Sequence, residues 1–185
     1  MLEGPDWNTD GRDWPNRASS RFVSAAGLRW HVQQLGAGPP MLLIHGTGAS
    51  THSWRDLAPL LARHYTILAP DLPGHGFTEA APSARMSLHG MAESIAGLLA
   101  ALKFEPDWVV GHSAGAAMLA RLCLDGRMEP RRLMSLNGAL LPLGGLRNPM
   151  FAPLAQLIVS NPLVPRFFAW QASNPAVVGR LLGET

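Results

Sequence analysis

The chain has 185 residues, of which 47% are hydrophobic and 15% charged, a balance typical of globular proteins and unlike that of disordered ones. The formal net charge is only +2, and no basic cluster stands out beyond Arg131 and Arg132, which argues against nucleic-acid binding. No apolar run reaches the roughly 18–20 residues of a membrane-spanning helix, and the polar N-terminus does not resemble a secretory signal. Because the single Cys123 also suits a reducing compartment, we expect a cytoplasmic protein, with peripheral membrane contact left open.

The predicted elements follow one another as strands and helices after an irregular arm at residues 1–18. We predict strands, in chain order, at Arg21–Ser24, Leu28–Leu35, Met41–Ile44, Thr66–Ala69, Trp108–Val110 and Leu133–Leu136. Apolar residues at helical spacing predict helices at Trp54–Arg63, Leu88–Leu102 and Ala116–Leu124, the first two capped by Ser53 and Ser87. This alternation predicts an α/β fold with a mostly parallel sheet and flanking helices over residues 19–143.

Residues 144–185 differ from the rest, because apolar and aromatic residues there are interrupted by five prolines and no further strand pattern is present. We interpret this segment as the start of a helical cap. It has two open interpretations: a lid lining a pocket for a large hydrophobic substrate, or a segment that only packs on the domain or lies against a membrane.

The pentapeptide at 111–115, Gly-His-Ser-Ala-Gly, lies between a predicted strand and a predicted helix. This arrangement is typical of a nucleophile elbow, in which a serine on a sharp, strained turn projects its hydroxyl above the sheet. Strand and helix nearly collide at such a turn, so Gly111 and Gly115 meet the need for small residues on either side of Ser113. We therefore predict that Ser113 is a catalytic nucleophile.

A nucleophilic serine also needs hydrogen-bond donors for the negative charge that develops on the substrate oxygen. One expected donor is the backbone N–H of Ala114, the residue after the nucleophile. The other is the N–H of Thr47, in the loop after the first buried parallel strand, where Gly46 and Gly48 allow the backbone to turn its amides inward.

The histidine that usually takes the serine proton has no candidate in its expected place. On this kind of fold the order is nucleophile, acid, histidine, yet all seven histidines precede Ser113: His31, His45, His52, His64, His75, His89 and His112. We do not expect any of these to be the base, and we expect His45 to brace its loop by hydrogen bonding. We interpret Asp71 as a turn residue rather than the triad acid, and we expect no metal and no cofactor.

Three segments in this order carry a family resemblance: His-Gly-Thr-Gly at 45–48, Asp-Leu-Pro-Gly-His-Gly at 71–76 and the pentapeptide at 111–115. Together they resemble the α/β-hydrolase superfamily over about residues 20–140. Residues 10–17, 46–54 and 135–142 resemble more closely the magnesium-chelatase accessory proteins of bacteriochlorophyll biosynthesis, a hydrolase-like group of phototrophic bacteria.

The resemblance implies an α/β-hydrolase fold that continues for about a hundred further residues, which supply the last two strands, the acid and the histidine. We therefore expect this chain to be a fragment that stops inside the cap. The resemblance implies a serine hydrolase acting on an ester or acyl substrate, linked to pigment synthesis and taking a hydrophobic small molecule such as a tetrapyrrole ester. The alternative is a non-catalytic accessory protein that binds a tetrapyrrole in the same pocket and contacts magnesium chelatase.

Overall fold

The computed structural model describes residues 5–140, which all belong to one compact unit, Met1–Leu140. The strands are β1 (Ser20–Ala25), β2 (Leu28–Leu35), β3 (Pro40–Ile44), β4 (Thr66–Pro70), β5 (Trp108–His112) and β6 (Arg132–Leu136). The α-helices are α1 (Leu57–Leu61), α2 (Leu88–Leu102) and α3 (Ala114–Leu124), and short 3₁₀ turns lie at Arg17–Ser19, Thr51–Trp54 and Ser83–Arg85. The predicted cap at residues 144–185 lies outside the described residues.

The six described strands form one sheet in the order β1-β2-β4-β3-β5-β6. The hairpin β1–β2 is antiparallel and joins β4 antiparallel, whereas β4, β3, β5 and β6 run parallel to one another. The predicted α/β fold with its mostly parallel sheet is therefore confirmed. The carboxyl ends of the four parallel strands lead into His45, Asp71, Ser113 and Asn137, as in other open parallel sheets whose sites lie at that edge.

Strand β3 is buried on both faces, as its short uninterrupted apolar run predicts. Leu42 and Ile44 pack in the larger core cluster, which also contains α2 and α3 residues, and Met41 and Leu43 pack in a second cluster with Trp54. All four side chains are at most 1% exposed. Burial on both faces fixes β3 at the centre of the sheet and so fixes the loop that follows it.

The predicted helix Trp54–Arg63 is wrong at its start. The segment is a 3₁₀ turn, Thr51–Trp54, capped by the Ser50 side chain rather than by Ser53, and α1 begins only at Leu57. The reason is Pro59, which has no N–H and whose ring would clash with the carbonyl of residue 55 in a continuous helix. The proline is tolerated only because it lies in the first turn of α1. The Ser87 cap of α2 is confirmed, since its side chain accepts a hydrogen bond from Gly90 N at 3.1 Å.

Candidate active site

Ser113 is the single residue between the end of β5 and the start of α3. Its backbone angles are φ 51° and ψ −118°, a conformation that residues other than glycine rarely adopt. The backbone strain costs about 1–3 kcal/mol. Neighbouring backbone holds this conformation: Ser113 N donates to Leu136 O at 3.0 Å, and Ser113 O accepts from Ala116 N at 3.2 Å and from Ala139 N at 3.0 Å. The turn is therefore sharp, strained and fixed from β6, the adjacent strand.

The two glycines that flank the serine leave no room for side chains. A Cβ on Gly111 would collide with the backbone of Ala116, and a Cβ on Gly115 would collide with the carbonyl oxygens of Ile44 and His45. Strand β5, helix α3 and the end of β3 therefore approach one another as closely as backbone allows. The α3 helix starts at Ala114, two residues earlier than predicted, because it begins directly at this turn.

The loop after β3 lies against the serine turn. A Cβ on Gly46 would be 3.0 Å from Ser113 Cβ and 3.2 Å from His112 Nδ1, so any larger residue would push against the serine turn. Gly48 has open space around it but a φ of +73°, so its conformation, and not its size, favours glycine there.

His45 fixes the direction of the peptide group that joins Gly46 to Thr47. Its Nε2 accepts from Leu72 N at 2.9 Å, so its Nδ1 carries the proton and donates to Gly46 O at 2.8 Å. Ala49 N also donates to Gly46 O, at 3.2 Å. In a trans peptide the N–H points opposite to the preceding carbonyl. The Thr47 N–H therefore points away from the His45 ring and the Ala49 amide, which both hold Gly46 O.

The backbone N–H groups of Thr47 and Ala114 have no hydrogen-bond acceptor within residues 5–140, and the same holds for the neighbouring N–H groups of Gly48 and Gly115. Ala114 is the first residue of α3, where amides have no partner inside the helix and where the helix dipole favours negative charge. The amides that we predict as oxyanion donors are thus unoccupied in the described part of the chain.

Burial lowers the pKa of His45 from 6.5 to about 4, and the opposing hydrogen bond to the Gly46 carbonyl does not offset it. His45 is therefore neutral near pH 7. Its role as a brace for the loop, expected from the sequence, agrees with its two hydrogen bonds.

We expect this histidine to make folding pH-dependent. The unfolded chain takes up a proton below pH 6.5 that the folded chain resists until about pH 4, so the free energy of unfolding falls by about 3 kcal/mol across that window and not below it. His45→Asn removes this contribution, whereas His64→Asn at an exposed position keeps it. Urea titrations between pH 4 and 7.5 measure the effect, and equal pH slopes in wild type and His45→Asn would contradict it.

None of the histidines within residues 5–140 is hydrogen bonded to Ser113 Oγ. His112, next to the serine, has its Nδ1 beside Gly46, and His75 packs against His45 with 5.4 Å between ring centroids. The described residues therefore bring together the serine turn and the loop amides, but not a base in contact with the serine hydroxyl.

Asp71 has a larger role than the turn that we predicted for it. Its carboxylate is fully buried and accepts from Phe77 N at 3.0 Å, which closes the 71–77 turn, but also from Thr51 N at 2.6 Å and from His31 Nδ1 at 2.8 Å. Burial alone would raise the pKa of this carboxyl, but the hydrogen bond and charge interaction with His31 and the two amides outweigh it, so the pKa lies below its ordinary value of 3.8.

Sequence reasoning missed His31 and the N-terminal residues that cover it. His31 is fully buried, and four aromatic rings lie within 6.4 Å of its centroid: Trp7, Trp14, Phe22 and Phe77. The sequence of β2 carries no signal of this, because Trp30, His31, Val32 and Gln33 alternate between apolar and polar residues, yet all four are buried. Consecutive burial in β2 requires a cover on both faces of the sheet, and the tryptophan-containing arm supplies one of them.

No helix among residues 5–140 has the length and apolar character needed to cross a membrane. In the same range, no three His, Cys, Asp or Glu side chains are grouped so that they could hold a metal ion.

The fold and this serine turn define an α/β-hydrolase. The family model described as "alpha/beta hydrolase fold" matches residues 39–175, and the chain belongs to that family. It is similar to the magnesium-chelatase 30 kDa subunit of Rhodobacter capsulatus, with 37% identity over 94% of this chain and 61% of that protein. The resemblance predicted from the sequence is thus confirmed for the superfamily and for the chelatase-associated group.

Other relatives carry hydrolase names. A 2-hydroxy-6-oxo-2,4-heptadienoate hydrolase of Pseudomonas putida is 33% identical over 64% of this chain and 44% of its own. Among solved structures, an epoxide hydrolase determined without ligand has a TM-score of 0.64 at 26% identity, covering 77% of this chain and 52% of its own. Potato (Solanum tuberosum) epoxide hydrolase I has a TM-score of 0.57 at 33% identity, covering 63% of this chain and 38% of its own. The chain therefore spans about 40–60% of the length of these relatives.

Proposed function

We propose that this chain carries the nucleophile half of a serine hydrolase that acts on an ester or other acyl substrate. The observation that carries the proposal is the strained Ser113 turn placed beside two unoccupied amides, those of Thr47 and Ala114. In this mechanism a base takes the Ser113 hydroxyl proton as Oγ attacks the acyl carbon, and the two amides stabilise the oxyanion. The ester C–O bond then breaks, the alcohol leaves with that proton, and water hydrolyses the acyl-enzyme to the acid and free serine.

Such a site is incomplete within these 185 residues, because no histidine follows Ser113. We propose that the base and its orienting acid are supplied by polypeptide outside this sequence, consistent with a relative of which the chain spans 61%. The similarity to the magnesium-chelatase subunit supports a substrate from magnesium-porphyrin and bacteriochlorophyll synthesis. A hydrophobic tetrapyrrole ester would combine a large apolar body with a bond that a serine can attack.

A second candidate function is that of a non-catalytic accessory protein that binds a tetrapyrrole in the same pocket and contacts magnesium chelatase. One observation favours it: the similar Rhodobacter protein is named as a magnesium-chelatase subunit. Fold alone does not distinguish the two functions, because one fold hosts many activities.

Covalent labelling distinguishes them. We expect a fluorophosphonate probe to modify the complete polypeptide at Ser113, as mapped by mass spectrometry, and to leave Ser113→Ala unmodified. No labelling of the wild type, under conditions in which a known serine hydrolase labels fully, would overturn the hydrolase proposal. Binding of a magnesium porphyrin methyl ester by such an unlabelled protein would then support the accessory role.

A further inference from the structure

The loop at 45–50 has two ends, and a different group holds each. His45 fixes the first peptide through Gly46 O. The other end enters the 3₁₀ turn at Thr51, whose N–H donates to the buried Asp71 carboxylate at 2.6 Å and whose hydroxyl accepts from Trp14 Nε1 at 3.0 Å. Because only six residues separate β3 from this turn, a movement of Thr51 changes the direction of the amides between the two ends.

Trp14 belongs to the N-terminal arm, and the two residues that follow it are anchored to the domain. Gln33 Nε2 donates to Pro15 O at 2.6 Å, so the arm is held on β2. Asn16 Nδ2 donates to Arg55 O at 3.1 Å, so it is also held on the segment that follows Thr51. The indole of Trp14 packs edge-on against Phe77 and against His52, with centroids 4.9 Å and 5.5 Å away.

We propose that Trp14 is a positioning residue for the Thr47 amide: its indole N–H, through Thr51, holds the loop at 46–50 in the conformation that faces Ser113. The catalytic part of this inference rests on the proposed function, whereas the hydrogen-bonded link from Trp14 through Thr51 to the loop is a structural claim. Through this one indole, the N-terminal arm supports the loop at 46–50 in addition to covering β2.

The chain offers a matched control in Trp7. This second indole packs in the same aromatic cluster, with its centroid 4.9 Å from His31 and 4.8 Å from Phe77. Its N–H has no hydrogen-bond partner within residues 5–140, whereas that of Trp14 bonds Thr51. Trp14→Phe and Trp7→Phe therefore lose similar aromatic area, but only Trp14→Phe loses a bond to the loop.

The first measurement is hydrogen exchange of the Ala49 and Thr51 amides in the complete protein at neutral pH. We expect Trp14→Phe and Thr51→Val to speed this exchange about five-fold relative to Trp7→Phe, the effect of one neutral hydrogen bond. Thr51→Ser, which keeps the hydroxyl acceptor, should exchange like the wild type. Equal exchange in Trp14→Phe and Trp7→Phe would overturn the proposal whether or not the protein is a hydrolase.

The second measurement is the rate constant for fluorophosphonate labelling of Ser113. The rate constant should fall about three- to ten-fold in Trp14→Phe and Thr51→Val, because oxyanion donors act in the transition state. Thr51→Ser should have the wild-type rate constant, and Trp7→Phe should stay within two-fold of it. A labelled wild type with unchanged rates in Trp14→Phe would overturn the positioning role. A wild type that never labels would instead refute the proposed function, and hydrogen exchange would still test the link from Trp14 to the loop.

Discussion

Ser113→Ala should reduce kcat of the complete protein for a p-nitrophenyl ester by at least about 10³-fold. The loss is large because the residue supplies the attacking atom, while the Thr47 and Ala114 amides can only stabilise the slower attack by water that remains. The fold should survive the change, since alanine at φ 51° carries the same backbone strain as serine and loses no hydrogen bond made by the hydroxyl within residues 5–140.

Ser135→Ala is the matched control for this experiment. Ser135 lies on β6 opposite Gly111, two residues from the nucleophile in the sheet register, and is exposed. It should keep kcat within about two-fold of the wild type, because nothing in the proposed chemistry involves its hydroxyl. Equal activity of Ser113→Ala and the wild type would show that hydrolysis occurs elsewhere.

Asp71→Asn should lower the free energy of unfolding by about 3–5 kcal/mol, because it removes the charged acceptor of three buried hydrogen bonds, each worth about 1.5–3 kcal/mol. The carboxylate accepts from His31, Thr51 and Phe77 at once. An amide turns one acceptor into a donor and so leaves a buried N–H facing another N–H. Chemical denaturation at pH 7 measures the loss.

Asp56→Asn is the control, because the Asp56 side chain is 84% exposed and its contact with Arg55 spans 3.3 Å. We expect that variant to stay within about 0.5 kcal/mol of the wild type. Since the pKa of Asp71 is depressed, its stabilisation is fully present above the ordinary value of 3.8 and is lost as the pH falls below it. A loss under 1 kcal/mol for Asp71→Asn at pH 7 would contradict a structural role for the pair.

The sheet and the serine turn could be predicted because their signals are local. Apolar runs such as Met41–Ile44 mark strands buried on both faces, and the small residues at 111 and 115 mark a turn that has no space for side chains. The turn between β1 and β2 is equally local, since Ala26 and Gly27 both have the positive φ that such two-residue turns require.

The network around Asp71 could not be predicted because its members are far apart in the chain. Trp14, His31, Thr51 and Asp71 come from the arm, a strand, a 3₁₀ turn and a loop. Each has an ordinary local explanation: an irregular arm, a strand residue, a helix start and a turn aspartate. Only the antiparallel pairing of β2 with β4 brings His31 next to Asp71, and only the folded arm places Trp14 on Thr51.

The most direct measurement is a crystal structure of the complete protein after reaction with a fluorophosphonate. We predict phosphorus bonded to Ser113 Oγ and one phosphonyl oxygen about 2.7–3.1 Å from both Thr47 N and Ala114 N, the geometry of an oxyanion hole. An adduct whose oxygen contacts neither amide, or a protein that forms no adduct at Ser113, would contradict the proposed active site.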